Sequence, residues 1–204
     1  PPDAVPGGGE WMTFRTEGFH DGTRFYFYLL GPGEALIDDL RLEVKGGDGT
    51  NYLQGGDFGA GSEAWSATGN HGIQVLPDGG YGDNGPCGYV PATGAGNGFQ
   101  NGVRQTMVTK PPADTLCVLT LRVKSLAGEG KFIARSSTAS GDDGVLYIQA
   151  DARTGEAEGA VITPLKPNTV GGGKAPTTIE LIGHDPPWPT SRDSVGIFAR
   201  VIAL

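Results

Sequence analysis

Cys117-Val-Leu-Thr-Leu-Arg-Val-Lys124 decides the fold class: Leu119, Leu121 and Val123 share one parity, and Thr120, Arg122 and Lys124 the other. A period of two places the first set on one face of a strand and the second on the opposite face, as in an antiparallel sheet with one solvated side. Thr23-Arg-Phe-Tyr-Phe-Tyr-Leu-Leu30 is apolar on both parities, which predicts a central strand. Trp11 to Phe14, Ala35 to Val44, Lys131 to Ser136 and Val145 to Ala150 extend the set, the last two joined by the turn-forming Ser140-Gly141-Asp142-Asp143-Gly144. Apolar residues at helical spacing are almost absent, so the expectation is all-β, an antiparallel β-sandwich.

Composition narrows the function classes. The 204 residues include 36 glycines and 15 prolines, and their position between apolar runs reads as turn punctuation, not as low complexity. A net charge of −8 argues against nucleic acid as a partner, since binding to phosphate backbones needs clustered Lys and Arg. No apolar run approaches the ~20 residues that span a bilayer, so membrane insertion is not expected. The opening Pro1-Pro2, without methionine, suggests a processed or excised piece. Cys87 and Cys117 lack the closely spaced Cys or His partners of a zinc site; the simple reading is one disulfide, pointing to an oxidising, extracellular location, with two buried free thiols as the competing account.

Residues 1–163 read as the sandwich. Residues 164–176, with Gly171-Gly172-Gly173, read as a linker, and 177–204 as a C-terminal strand pair around Asp185-Pro186-Pro187-Trp188-Pro189. Two strands alone are not a stable domain.

The stretch Asn51-Tyr-Leu-Gln-Gly-Gly-Asp-Phe58, with Trp65 and Gly69-Asn-His-Gly72, resembles the opening of carbohydrate-binding, galactose-binding-like jelly-roll modules. Residues 25–42, Phe-Tyr-Phe-Tyr-Leu-Leu-Gly-Pro-Gly-Glu-Ala-Leu-Ile-Asp-Asp-Leu-Arg-Leu, look like the closing strands of the same modules. Their order is reversed here. The chain therefore reads either as the end of one module (residues 11–45) followed by the start of the next (51–150), or as a single circularly permuted jelly roll whose first strands pair with its last. The pair of signatures is similar to repeated regions of very large secreted bacterial surface proteins, in which immunoglobulin-like modules follow; residues 177–204 look like the first strands of one.

Two functions follow from this resemblance. The first is structural: the apolar terminal strand, carrying Val195, Ile197, Phe198, Val201, Ile202 and Leu204, adds to a neighbouring copy and builds a homo-oligomer, filament or surface array. The second is polysaccharide recognition, with Trp65, Tyr81, Tyr89 and Trp188 as aromatic platforms and Asn101, Arg104 and Gln105 as polar partners; each aromatic has a competing account as core or turn packing. The resemblance also implies a structural calcium near Asp38, Asp39 and Asp57, although Gly59 stands where the family places a further acidic residue. No cofactor is required. His20, His71 and His184 lie in separate turns, and no nucleophile, base and orienting group come together in sequence, so an enzyme is not expected.

Overall fold

A computed structural model describes residues 9–20, 22–83, 85–113, 115–138 and 141–157 and the backbone of 179–182. Its strands are β1 (Met12–His20), β2 (Arg24–Leu29), β3 (Gly33–Val44), β4 (Ser66–Thr68), β5 (Gln74–Leu76), β6 (Cys87–Ala92), β7 (Gly102–Thr106), β8 (Thr115–Gly128), β9 (Lys131–Thr138), β10 (Gly141–Asp151) and β11 (Ile179–Ile182). They form two antiparallel sheets, ordered β11-β1-β8-β3-β6-β5 and β10-β9-β2-β7-β4. The chain is an all-β sandwich.

The alternation in β8 holds residue by residue: Cys117, Leu119, Leu121 and Val123 are fully buried between the sheets. β2 is central, as its composition predicts, and its parity is informative. Phe25, Phe27 and Leu29 enter the main core, while Tyr26 and Tyr28 lie in a separate cluster on the other face. In β3 the inward set changes parity, from Ala35 and Ile37 to Leu40 and Leu42. A bulge between Asp38 and Arg41 absorbs the extra residue, with Asp39 at φ 47°.

β2 and β3 lie in the interior of their sheets, flanked by strands from later in the chain. The single interleaved sandwich is the arrangement found. β1 pairs with β8 on one side and, from Thr13 to Thr16, with β11 on the other. The backbone strand expected near 177–182 thus lies on this chain's own sheet edge. Trp188 and the segment Val195 to Leu204 fall outside the described residues.

The Asn51–Phe58 stretch is not a strand. It is an irregular strap across the end of the sandwich. Asn51 Oδ1 accepts from the Leu42 and Leu53 amides (2.9 and 3.0 Å) and its Nδ2 donates to Leu40 O (2.9 Å), pinning the strap to β3. On the other sheet, Gln105 of β7 clamps Gln54 through two 2.7 Å bonds, one to its N–H and one to its C=O. Phe58, at φ 55°, then drops its ring into the core, stacked on Trp65 with centroids 5.7 Å apart. Gly88 is what makes room: a Cβ there would lie 2.5 Å from Phe58 Cζ.

Candidate binding face

Strand pairing sets a row of side chains across the outer face of the five-stranded sheet. Tyr147 of β10 stands opposite Arg135 of β9, Arg135 opposite Tyr26 of β2, Tyr26 opposite Arg104 of β7, and Arg104 opposite Ser66 of β4. One step along, Gln149 faces Ile133, which faces Tyr28. Tyr147 Oη donates to Gln149 Oε1 (2.6 Å), and Arg104 Nε lies 3.4 Å from Ser66 Oγ.

The loop 93–101 lies against this row. Its glycines permit the contact, since a Cβ on Gly96 would come within 2.5 Å of Tyr28 Cβ. Asn97 Oδ1 accepts from the Gln100 and Asn101 amides (2.9 and 3.0 Å), a turn that carries Phe99 over Tyr26 with centroids 5.5 Å apart. The Arg135 guanidinium is 5.3 Å from both the Tyr26 and Phe99 rings. Phe99 remains 45% exposed while Tyr26 beneath it is fully covered. Two buried polar atoms in this stack, Tyr26 Oη and Arg135 Nε, have no hydrogen-bond partner. Such a group costs about 1–3 kcal/mol in the free protein, and burial pushes the neighbouring Tyr28 hydroxyl pKa upward.

The expected sugar-contacting residues are scattered by this architecture, and only Arg104 belongs to the row. Trp65 is a core residue at 5% exposure, packed on Phe58 and edge-on to Phe25, with Nε1 donating to Gly55 O (2.9 Å). Gln105 faces inward as the strap clamp, and Asn101 Oδ1 accepts from the Asn70 amide (3.1 Å). Tyr89 is buried with Leu36 and Cys87 on the outer face of the other sheet. Tyr81 is exposed on that same side, with Arg122 stacked 3.3 Å from its ring centroid. Phe99, Arg135, Tyr26 and Tyr147 were missed by sequence reasoning. The Phe/Tyr alternation in 25–28 carried the signal, because a hydroxyl marks the ring that faces away from a dry core.

The expected calcium ligands do not form one three-carboxylate cluster. Asp38 Oδ2 accepts from the Tyr81 amide (2.8 Å) and Oδ1 from the Asp39 amide (2.7 Å); burial raises its pKa, against the pull of those two bonds. Asp39 Oδ2 lies 2.8 Å from Arg122 Nε. Asp39 and Asp57 line one small cavity of about 130 Å³ beside Leu40, Arg41, Asn51 and Gly56. Calcium takes six to eight oxygens. Among the described residues no three His, Cys, Asp or Glu side chains converge, so the three-carboxylate set is not assembled.

The disulfide is corrected outright: Cys87 and Cys117 are buried free thiols. Their strands, β6 and β8, flank β3 on opposite sides, two strand spacings or about 10 Å apart, beyond the ~7 Å that a disulfide tolerates between Cα atoms. Cys117 is registered against Val44 at the end of β3, whereas Gly88, beside Cys87, is registered against Ile37. Cys117 joins the inner core and Cys87 the outer cluster, and burial pushes each thiol pKa up to about 11. The inference of an oxidising compartment from a disulfide falls with it. Comparison of the chain with protein-family models, curated proteins and solved structures returns no match.

Proposed function

We propose that this chain is a non-catalytic extracellular module that binds a polysaccharide across the outer face of its five-stranded sheet. The observation that carries this reading is the stack of Phe99, Arg135 and Tyr26, in which an exposed ring sits over two buried polar atoms that lack partners. An apolar pyranose face can rest on Phe99 while Tyr147, Gln149 and the arginines meet its hydroxyls. The resemblance to secreted jelly-roll modules supports the extracellular assignment. The Ser136–His20 contact (3.2 Å) favours no catalytic alternative, because both side chains are fully buried and out of a substrate's reach.

The test is retention on a panel of immobilised polysaccharides, comparing the full chain with Phe99→Ala. Retention of the parent chain and loss in the variant support the reading. Retention of neither, or equal retention of both, refutes it.

Self-association by strand addition is the second reading, and one observation favours it. β11 covers only Thr13 to Thr16 of β1, leaving the outward edge of Glu17–His20 without a strand neighbour among the described residues. An exposed edge of this kind is a template for pairing. Light scattering on a chain lacking residues 190–204 tests it; assembly unchanged from the full chain would retire the idea.

A further inference from the structure

Resting on the polysaccharide reading, we infer that the ligand is acidic: a polyuronate whose carboxylates are held by Arg104 and Arg135. These two arginines bracket Tyr26 on the neighbouring strands, and Arg24, one alternation along β2, adds a third cation of the same parity. None of the three has an ion-pair partner among the described residues, whereas Arg15, Arg41 and Arg122 are each paired with a carboxylate. In a chain of net charge −8, arginines left unpaired on one face are a selective feature, not a general surplus of positive charge.

The chemistry of the site favours a planar anion. A guanidinium presents its donors as a fork that matches a carboxylate, and it can stack on aromatic faces while doing so. Arg135 already lies beside both the Tyr26 and Phe99 rings, and its buried Nε lacks an acceptor. Along the cross-strand row no carboxylate stands. Asp151, which shares this face, sits at the end of β10 opposite Lys131. Arg104 and Arg135 are two strand spacings apart, about 10 Å, a span that consecutive sugars bridge and a single monosaccharide does not. Phe99 supplies the apolar platform that an acidic peptide would not need.

The experiment is calorimetric titration of the full chain with a galacturonate hexamer, its carboxyl-reduced counterpart, a neutral xylan oligomer and a sulfated galactan oligomer. Hexagalacturonate binding is expected to be the tightest and to weaken with added salt. Arg104→Gln is expected to weaken it about tenfold or more, the loss of one hydrogen bond to a charged group. Arg135→Gln should do the same, with circular dichroism confirming the fold; should that variant unfold, Arg104→Gln alone decides. Equal affinity for the acidic and reduced hexamers, preference for the sulfated or neutral oligomer, or an Arg104→Gln variant that binds like the parent overturns the acidic ligand while leaving polysaccharide binding intact. Failure to bind any of these oligomers, together with no retention on the polysaccharide panel, overturns both.

Discussion

Replacing Trp65 with alanine is expected to unfold the protein's margin of stability without touching a ligand. The indole is 5% exposed, stacked on Phe58 at 5.7 Å and edge-on to Phe25 at 5.9 Å, and donates to Gly55 O at 2.9 Å. Truncating a buried aromatic of this size costs about 3–5 kcal/mol, including the cavity it leaves. The lost hydrogen bond adds about 1 kcal/mol, softened because Gly55 O still accepts from the Phe58 amide (3.3 Å). A loss of about 4 kcal/mol is a large part of the ~5–15 kcal/mol typical of a domain. Phe58 depends on Trp65 to hold its left-handed backbone turn in place, so the strap should loosen as well. Urea unfolding followed by far-UV circular dichroism measures this. Trp65→Phe should fall in between, since it keeps ring contact and drops the hydrogen bond. A shift worth under about 1 kcal/mol with an unchanged m value would contradict the placement of Trp65 in the core.

Other outcomes follow from single contacts. Phe99→Ala should cost under about 1 kcal/mol in the same urea assay, because the ring is a partly exposed cap; a loss as large as that of Trp65→Ala would mean the loop is structural. Gly88→Ala should destabilise by about 1–3 kcal/mol through collision with Phe58, and a smaller residue at 58 should couple with it, as a double-mutant cycle would reveal. With thiol pKa values near 11 and no solvent access, Cys87 and Cys117 should resist Ellman's reagent at pH 8 in the folded chain and both react in guanidinium. A stability loss on adding reductant would refute the free-thiol assignment. His71 Nε2 accepts from the Leu29 amide (2.9 Å) while Nδ1 meets Asn70 Oδ1 (2.6 Å), and burial lowers its pKa. The unfolded state therefore takes the proton first. The contribution of His71 is complete above the unfolded value of about 6.5 and is lost as pH falls through the lower folded value. His71→Gln should flatten the decline in stability between pH 7 and 5; an identical pH profile would refute this role.

How far the residues announced this structure depends on the length of the signal. β8 and β2 carry their periodicity over enough positions to be read directly, and both lie where the pattern puts them. β4 and β5, three residues each and partly exposed, have no alternation to read. β6 hides behind Gly88 and Pro91, residues that argue against a strand; Gly88 is explained only once the Phe58 ring is seen beside it. Trp65 and Gln105 look like surface recognition groups because neither Trp65 between Ala64 and Ser66 nor Gln105 between Arg104 and Thr106 gives any hint of which sheet will close over it. The arginine row could not be read along the chain at all. Its members sit at 26, 66, 104, 135 and 147, and only cross-strand register makes them neighbours.

The interleaving of the two sheets has a consequence during synthesis. β2 and β3 leave the ribosome early, yet each needs partners encoded a hundred residues or so downstream: β9 for β2, and β8 for β3. Pairing across such separations is slow, and chains that wait for it expose their apolar strands. A nascent polypeptide cut short before residue 115 would hold Phe25, Phe27, Ile37 and Leu42 without β8 and β9, which complete the sheets around them. Holding the chain extended until its second half has emerged, as export in an unfolded form or a bound chaperone does, removes that hazard.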